Sequence, residues 1–83
     1  MINIEKKIKK VISRQFDKKI EKLNNSTKLI DDLKADSLDI IEFFMSLEEE
    51  FNISIPDEEM EKIIDIQSAI IYVHKKIKKI SDP

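Results

Sequence analysis

The sequence contains no cysteine, no glycine and no tryptophan, and among its 83 residues it has two prolines and one histidine. Without cysteine the chain has no disulfide, no thiolate metal site and no thiol nucleophile, so any thioester chemistry here needs sulfur from a prosthetic group. A single histidine leaves little for imidazole catalysis. The lack of glycine disfavours hairpins that need positive φ, and with isoleucine and lysine abundant the chain reads as all-α. No apolar run approaches the roughly 20 residues of a membrane span and no signal-peptide core follows Met1. A cytoplasmic protein with no stable membrane insertion is therefore expected.

What is present is charge. Charged residues make up 39% and hydrophobic ones 41%, and the length allows one small domain, 1–83, with a single core. The net charge of −2 hides a strong polarity: residues 1–30 carry +6, residues 31–66 carry −11 and residues 67–83 carry +3. An acidic middle of this kind steers basic partners toward it. The lysine-rich ends lack an aromatic platform or a readable binding motif, so nucleic acid is not an expected partner.

The most informative stretch lies in that middle: Asp31-Asp32-Leu33-Lys34-Ala35-Asp36-Ser37-Leu38-Asp39. Asp or Ser is a preferred N-cap, and Ile40, Ile41, Phe44, Leu47 and Phe51 follow at helical spacing, which predicts a helix over about 37–51. Its start places the Ser37 hydroxyl beside unpaired backbone N–H groups and the positive end of the helix dipole, a setting that favours an attached or bound phosphate. Taken alone, an Asp-Ser-Leu tripeptide is as a rule only a helix start. On the outer side, Asp39, Glu42 and Glu49 flank Leu38 and Met45, a pattern suited to docking in which charge steers and the apolar pair anchors. Phe43 falls at the edge of the buried face, its direction open.

Three further helices are expected. The first runs over about 3–16, with Ile4, Ile8, Val11, Ile12 and Phe16 inward. A long connection over 17–36 follows, with turn formers at Asn24-Asn25-Ser26-Thr27, pinned by Ile20, Leu23, Leu29, Ile30 and Leu33, with a short helical turn expected near 29–33. A short helix from Pro56 or Asp57 to about Ile63 turns Met60, Ile63 and Ile64 inward, leaves Ile55 near the mouth of the bundle, and keeps Asp57 and Glu61 outside. The last runs over about 66–80, capped by Asp65, with Ile66, Ala69, Ile70, Val73, Ile77 and Ile80 on one stripe. Lys75, Lys76, Lys78 and Lys79 lie near its C-terminal end, His74 on its surface, and Ser81-Asp82-Pro83 forms a tail. An EF-hand starting at Asp31 fails at Leu33, Ala35 and Asp36, so no metal site is expected. A hydrolase built on Ser37 lacks a nearby base and the glycines of a nucleophile elbow, so no catalytic residue and no enzyme activity are expected.

The run Ala35-Asp36-Ser37-Leu38-Asp39, then Leu47-Glu48-Glu49-Glu50-Phe51, Ile55-Pro56-Asp57-Glu58-Glu59 and Glu61-Lys62-Ile63, continuing through Gln67, Ala69, Ile70 and Tyr72, resembles bacterial acyl carrier proteins of type II fatty-acid synthesis. The resemblance implies a four-helix bundle, three helices long and the third short, with a long loop between the first and second. It makes Ser37 the attachment site of 4'-phosphopantetheine, donated by coenzyme A and joined through a phosphodiester, whose thiol holds acyl groups as thioesters. It implies partner docking by Asp36, Leu38, Asp39, Glu42, Met45, Glu49, Ile55, Asp57 and Glu61. Leu29, Ile30, Leu47, Ile55, Met60, Ile63, Ala69 and Tyr72 become candidates to line an acyl pocket. The implied partners are a phosphopantetheinyl transferase and fatty-acid synthesis enzymes with basic docking patches, met by a monomeric carrier. The family often has glycine where Lys34 stands. Two other readings stay open: a carrier of D-alanyl, aminoacyl or secondary-pathway cargo, and an unmodified helical interaction module.

Overall fold

The structure is a computed structural model that describes residues 3–81, with side chains described as far as Lys78. Asp82 and Pro83 of the expected tail, and the side chains of Lys79 and Ile80, lie outside the described residues. Four helices follow one another: α1 Ile4–Phe16, α2 Ser37–Phe51, α3 Asp57–Met60 and α4 Ile66–Ser81. The described residues form no strand, only an isolated antiparallel bridge between Lys28 and Asp65. The fold is the all-α four-helix bundle with a long first connection that the sequence suggests.

α1 begins where Asn3 Oδ1 accepts the N–H of Lys6 at 3.0 Å. It ends at Asp17, left-handed at φ 53°, beyond which Lys18 N–H returns to the Ser13 carbonyl at 3.2 Å. Lys7 pairs with Glu50 at 3.5 Å and Gln15 donates to the Asp39 carbonyl at 2.7 Å, so α1 and α2 lie side by side and antiparallel. Ile8 and Ile12 from α1, Phe43, Phe44 and Leu47 from α2, and Ile66 and Val73 from α4 are fully buried in one cluster, which Leu23, Leu29 and Leu33 of the connection join.

Five expectations are corrected. Ile41 does not share the buried face of α2; it is 51% exposed, while Phe43 takes its place inside. Both residues lie off the Phe44–Leu47 line at about 100° per residue. α1, however, covers the flank that holds Asp39, Phe43 and Glu50 and leaves the Ile41 flank bare. Ile20 and Ile30 do not pin the connection, which instead makes a 3-10 turn at Ile20–Lys22. α3 ends at Met60 rather than near Ile63, and Ile64 faces outward. Beyond Met60 the N–H groups of Lys62 and Ile63 make tighter bonds three residues back, and those of Ile64 and Asp65 are taken by Ser68 Oγ, both at 3.0 Å. The tail is shorter than expected, because Ser81 still belongs to α4.

That hydroxyl belongs to the start of α4. Asp65 Oδ1 accepts the Ser68 N–H at 2.8 Å and the Ser68 hydroxyl at 2.7 Å. These bonds from Ser68 hold the Asp65 carboxyl below its ordinary pKa of 3.8. The long connection is stitched to the same place: Leu29 N–H donates to the Ile64 carbonyl at 3.0 Å, Ile66 N–H to Thr27 at 3.1 Å, and Gln67 N–H to Asn25 at 2.9 Å.

Phe43→Ala is expected to lower the unfolding free energy by about 3–5 kcal/mol, and Ile41→Ala by no more than about 0.5 kcal/mol, measured by urea denaturation. Asp65→Ala is expected to cost about 1 kcal/mol at neutral pH through the lost cap. Because the carboxyl is held below 3.8 in the fold, that stabilisation is complete above this pH, and the gap to wild type closes as pH falls below it.

Candidate functional site

The approach to α2 is a helical turn that closes on a left-handed residue. Asp32 N–H donates to the Lys28 carbonyl, Lys34 N–H to Ile30 and Ala35 N–H to Leu29, each at 3.1 Å. Asp32 Oδ2 accepts the Lys28 N–H at 2.8 Å, and Lys34 sits at φ 59°. Here a lysine occupies a conformation that glycine adopts without strain, at a cost of about 1–2 kcal/mol. The reversal directs the chain into Asp36, whose extended backbone is the N-cap of α2.

Asp36 and Asp39 form a reciprocal capping box. Asp36 Oδ1 accepts the Asp39 N–H at 2.9 Å, and Asp39 Oδ2 accepts the Asp36 N–H at 3.1 Å. Ser37 is therefore the first helical residue rather than the cap. It is exposed, and its hydroxyl makes no hydrogen bond to any described residue. Each aspartate commits one carboxylate oxygen to the other's backbone N–H. The site presents an exposed hydroxyl at the positive end of a helix.

Along the outer side of α2, Leu38 is 64% and Met45 55% exposed, and Ile41 between them completes an apolar strip at helical spacing. Asp36, Glu42, Glu49, Asp57 and Glu61 are exposed, whereas Asp39 is half-buried beside α1. Ile55 offers a partner no surface: it is buried, and its N–H donates to Glu48 Oε2 at 2.8 Å.

A largely apolar cavity of about 490 Å³ opens between the connection, α2 and the segment around α3. Leu29, Ile30, Met60 and Ile63 line it, together with Ile40, Phe44 and Ile64, and Ile40 lies three residues after Ser37. Ile30 and Ile64 are mostly exposed and form its rim. Leu47, Ile55 and Ala69 are core residues outside the lining. Tyr72 is also outside it, with its hydroxyl donating to Glu59. Burial, and then the Glu59 carboxylate, push the Tyr72 phenol well above its ordinary pKa of 10.0, so it remains a donor. Lys76 Nζ lies 3.9 Å from the same carboxylate and 5.7 Å from the Tyr72 ring centre, which fastens α3 to α4. Among the described residues no group of three or more His, Cys, Asp or Glu side chains is placed to hold a metal ion, and no helix is long and apolar enough to cross a membrane.

Comparison with known proteins agrees with this geometry. The family described as the phosphopantetheine attachment site matches residues 6–73. The acyl carrier protein of Buchnera aphidicola subsp. Schizaphis graminum is 52% identical over 79 residues, 95% of this chain and all of that one. The chain belongs to the acyl carrier protein family. The acyl carrier protein of Buchnera aphidicola subsp. Acyrthosiphon pisum (strain Tuc7) is 54% identical over 76 residues, 92% of this chain and 95% of its own. The solved acyl carrier protein of Enterococcus faecalis superposes with a TM-score of 0.76 at 36% identity, over 88% of this chain and 92% of that one.

The group that the family carries is a covalently attached 4'-phosphopantetheine. The residues present fit it: an exposed serine hydroxyl at a helix start can take a phosphodiester, and the chain has no thiol of its own. Sequence reasoning missed Ile41 and Ile64 as surface residues, because periodicity alone does not reveal which flank a neighbouring helix covers. Lys34→Gly is expected to raise the unfolding free energy by about 0.5–1 kcal/mol by removing the left-handed strain, less what the more flexible unfolded chain gains. Thermal denaturation followed by circular dichroism measures it.

Proposed function

We propose that Ser37 carries the 4'-phosphopantetheine arm, and that residues 1–83 work as one monomeric acyl-carrier domain in the cytoplasm, with no catalysis of their own. The observation that carries this is the exposed Ser37 hydroxyl at the first position of α2, held there by the Asp36–Asp39 box. A phosphopantetheinyl transferase uses coenzyme A as donor. Ser37 Oγ forms the new phosphorus–oxygen bond, the pyrophosphate bond of the donor breaks, adenosine 3',5'-bisphosphate leaves, and the hydroxyl proton passes to a base of the transferase. When attached, the arm supplies the thiol that holds acyl groups as thioesters for fatty-acid synthesis.

The protein supplies recognition and shelter. Asp36, Asp39, Glu42 and Glu49 steer basic patches of the transferase and of the fatty-acid enzymes, and Leu38 and Met45 anchor them, with Asp57 and Glu61 extending the acidic surface. Leu29, Ile30, Met60 and Ile63 line the cavity that receives the acyl chain, whose volume suits a small apolar ligand.

The wild-type chain, incubated with coenzyme A, magnesium and a broad-specificity phosphopantetheinyl transferase, is expected to gain one phosphopantetheine by intact mass. Ser37→Ala is expected to gain none. Loading of the product by a malonyl donor, and not by D-alanyl or aminoacyl donors with their own ligases, assigns the cargo. An unmodified wild type would overturn the carrier reading.

A further inference from the structure

A polar cleft of about 540 Å³ separates α1 from the outer part of α2, with Arg14, Gln15, Glu42, Ser46 and Glu49 among its lining. Gln15 is the residue of this cleft that reaches across to the helix start. Its Nε2 donates at 2.7 Å to the carbonyl of Asp39, 24 residues away. Its Oε1 is buried and has no partner among the described residues. The donor end of this amide thus makes the tertiary bond while the acceptor end makes none.

The receiving carbonyl is that of the residue whose N–H and carboxylate close the capping box around Ser37. Helix ends fray, and the first turn of α2 follows a left-handed, non-glycine residue at Lys34. An amide from α1 anchored on that turn opposes the fraying from outside α2. We infer that Gln15 is a positioning residue for modification at Ser37. It holds the first turn of α2 closed, so that the hydroxyl is presented in the one backbone conformation a transferase engages. The inference rests on Ser37 being the modified residue.

The test uses Gln15→Met, which keeps length and loses the donor, and Gln15→Ala, both studied well below their melting temperatures so that the bundle stays folded. Loss of one such bond multiplies the ratio of frayed to formed first turn by about five. The expected result is that 13Cα secondary shifts of Ser37–Ile40 move toward coil while those of Ile8–Ile12 and Ile70–Val73 stay put. In the transferase assay with coenzyme A, KM for the carrier rises, by no more than about fivefold, with kcat unchanged, because only the formed fraction binds. Unchanged shifts at Ser37–Ile40 and unchanged KM, with the wild type modified normally, would overturn the inference and leave the carrier reading intact. A wild type that takes no phosphopantetheine would remove both.

Discussion

Asp36 and Asp39 each accept the other's backbone N–H, and this exchange decides where α2 begins. A start one residue later would make Ser37 the cap and commit its hydroxyl to a backbone N–H. A start one residue earlier would put Asp36 into the helix and leave the first turn uncapped. The box therefore leaves the serine exposed while providing for the turn around it. In the proposed function the same carboxylates add to the negative field that draws basic partners, so one pair of residues would serve both the local fold and recognition.

A chain without glycine has to reverse direction with side chains that disfavour left-handed backbone. Three positions do so: Asp17 after α1, Lys34 before α2 and Asn52 after α2. Asp and Asn tolerate this region because their short polar side chains can bond locally, and lysine has no such relief. The strain is thus greatest three residues before Ser37. Its neighbours hold it in place: nested bonds from Lys34 to Ile30 and from Ala35 to Leu29 below, and the braced first turn of α2 above.

Much of this was readable from the sequence because the elements are short and amphipathic. The spacing of Ile8, Val11 and Ile12, of Phe44 and Leu47, and of Ile66, Ala69 and Val73 placed the three long helices and most of the core, and Asp65 read correctly as a cap. The start of α2 was legible from Asp36-Ser37-Leu38, and its meaning from the wider run of segments through Tyr72. What periodicity could not show was long-range. Ile41 turned outward, and Phe43, whose direction was open, turned inward, because α1 lies on one flank of α2. α3 stopped early because Ser68, eight residues after Met60, claims the N–H groups that would have continued toward it. Gln15 carries no local signal at all, since its partner is 24 residues away.

We propose that this helix start makes Ser37, and no other serine, the point of attachment. Trypsin cleaves after Lys34 and Lys62, giving a peptide of residues 35–62 that holds Ser37, Ser46 and Ser54. Tandem mass spectrometry of that peptide, after reaction with coenzyme A and a phosphopantetheinyl transferase, is predicted to find the phosphopantetheine on Ser37 alone. Its presence on Ser46 or Ser54 would contradict the account.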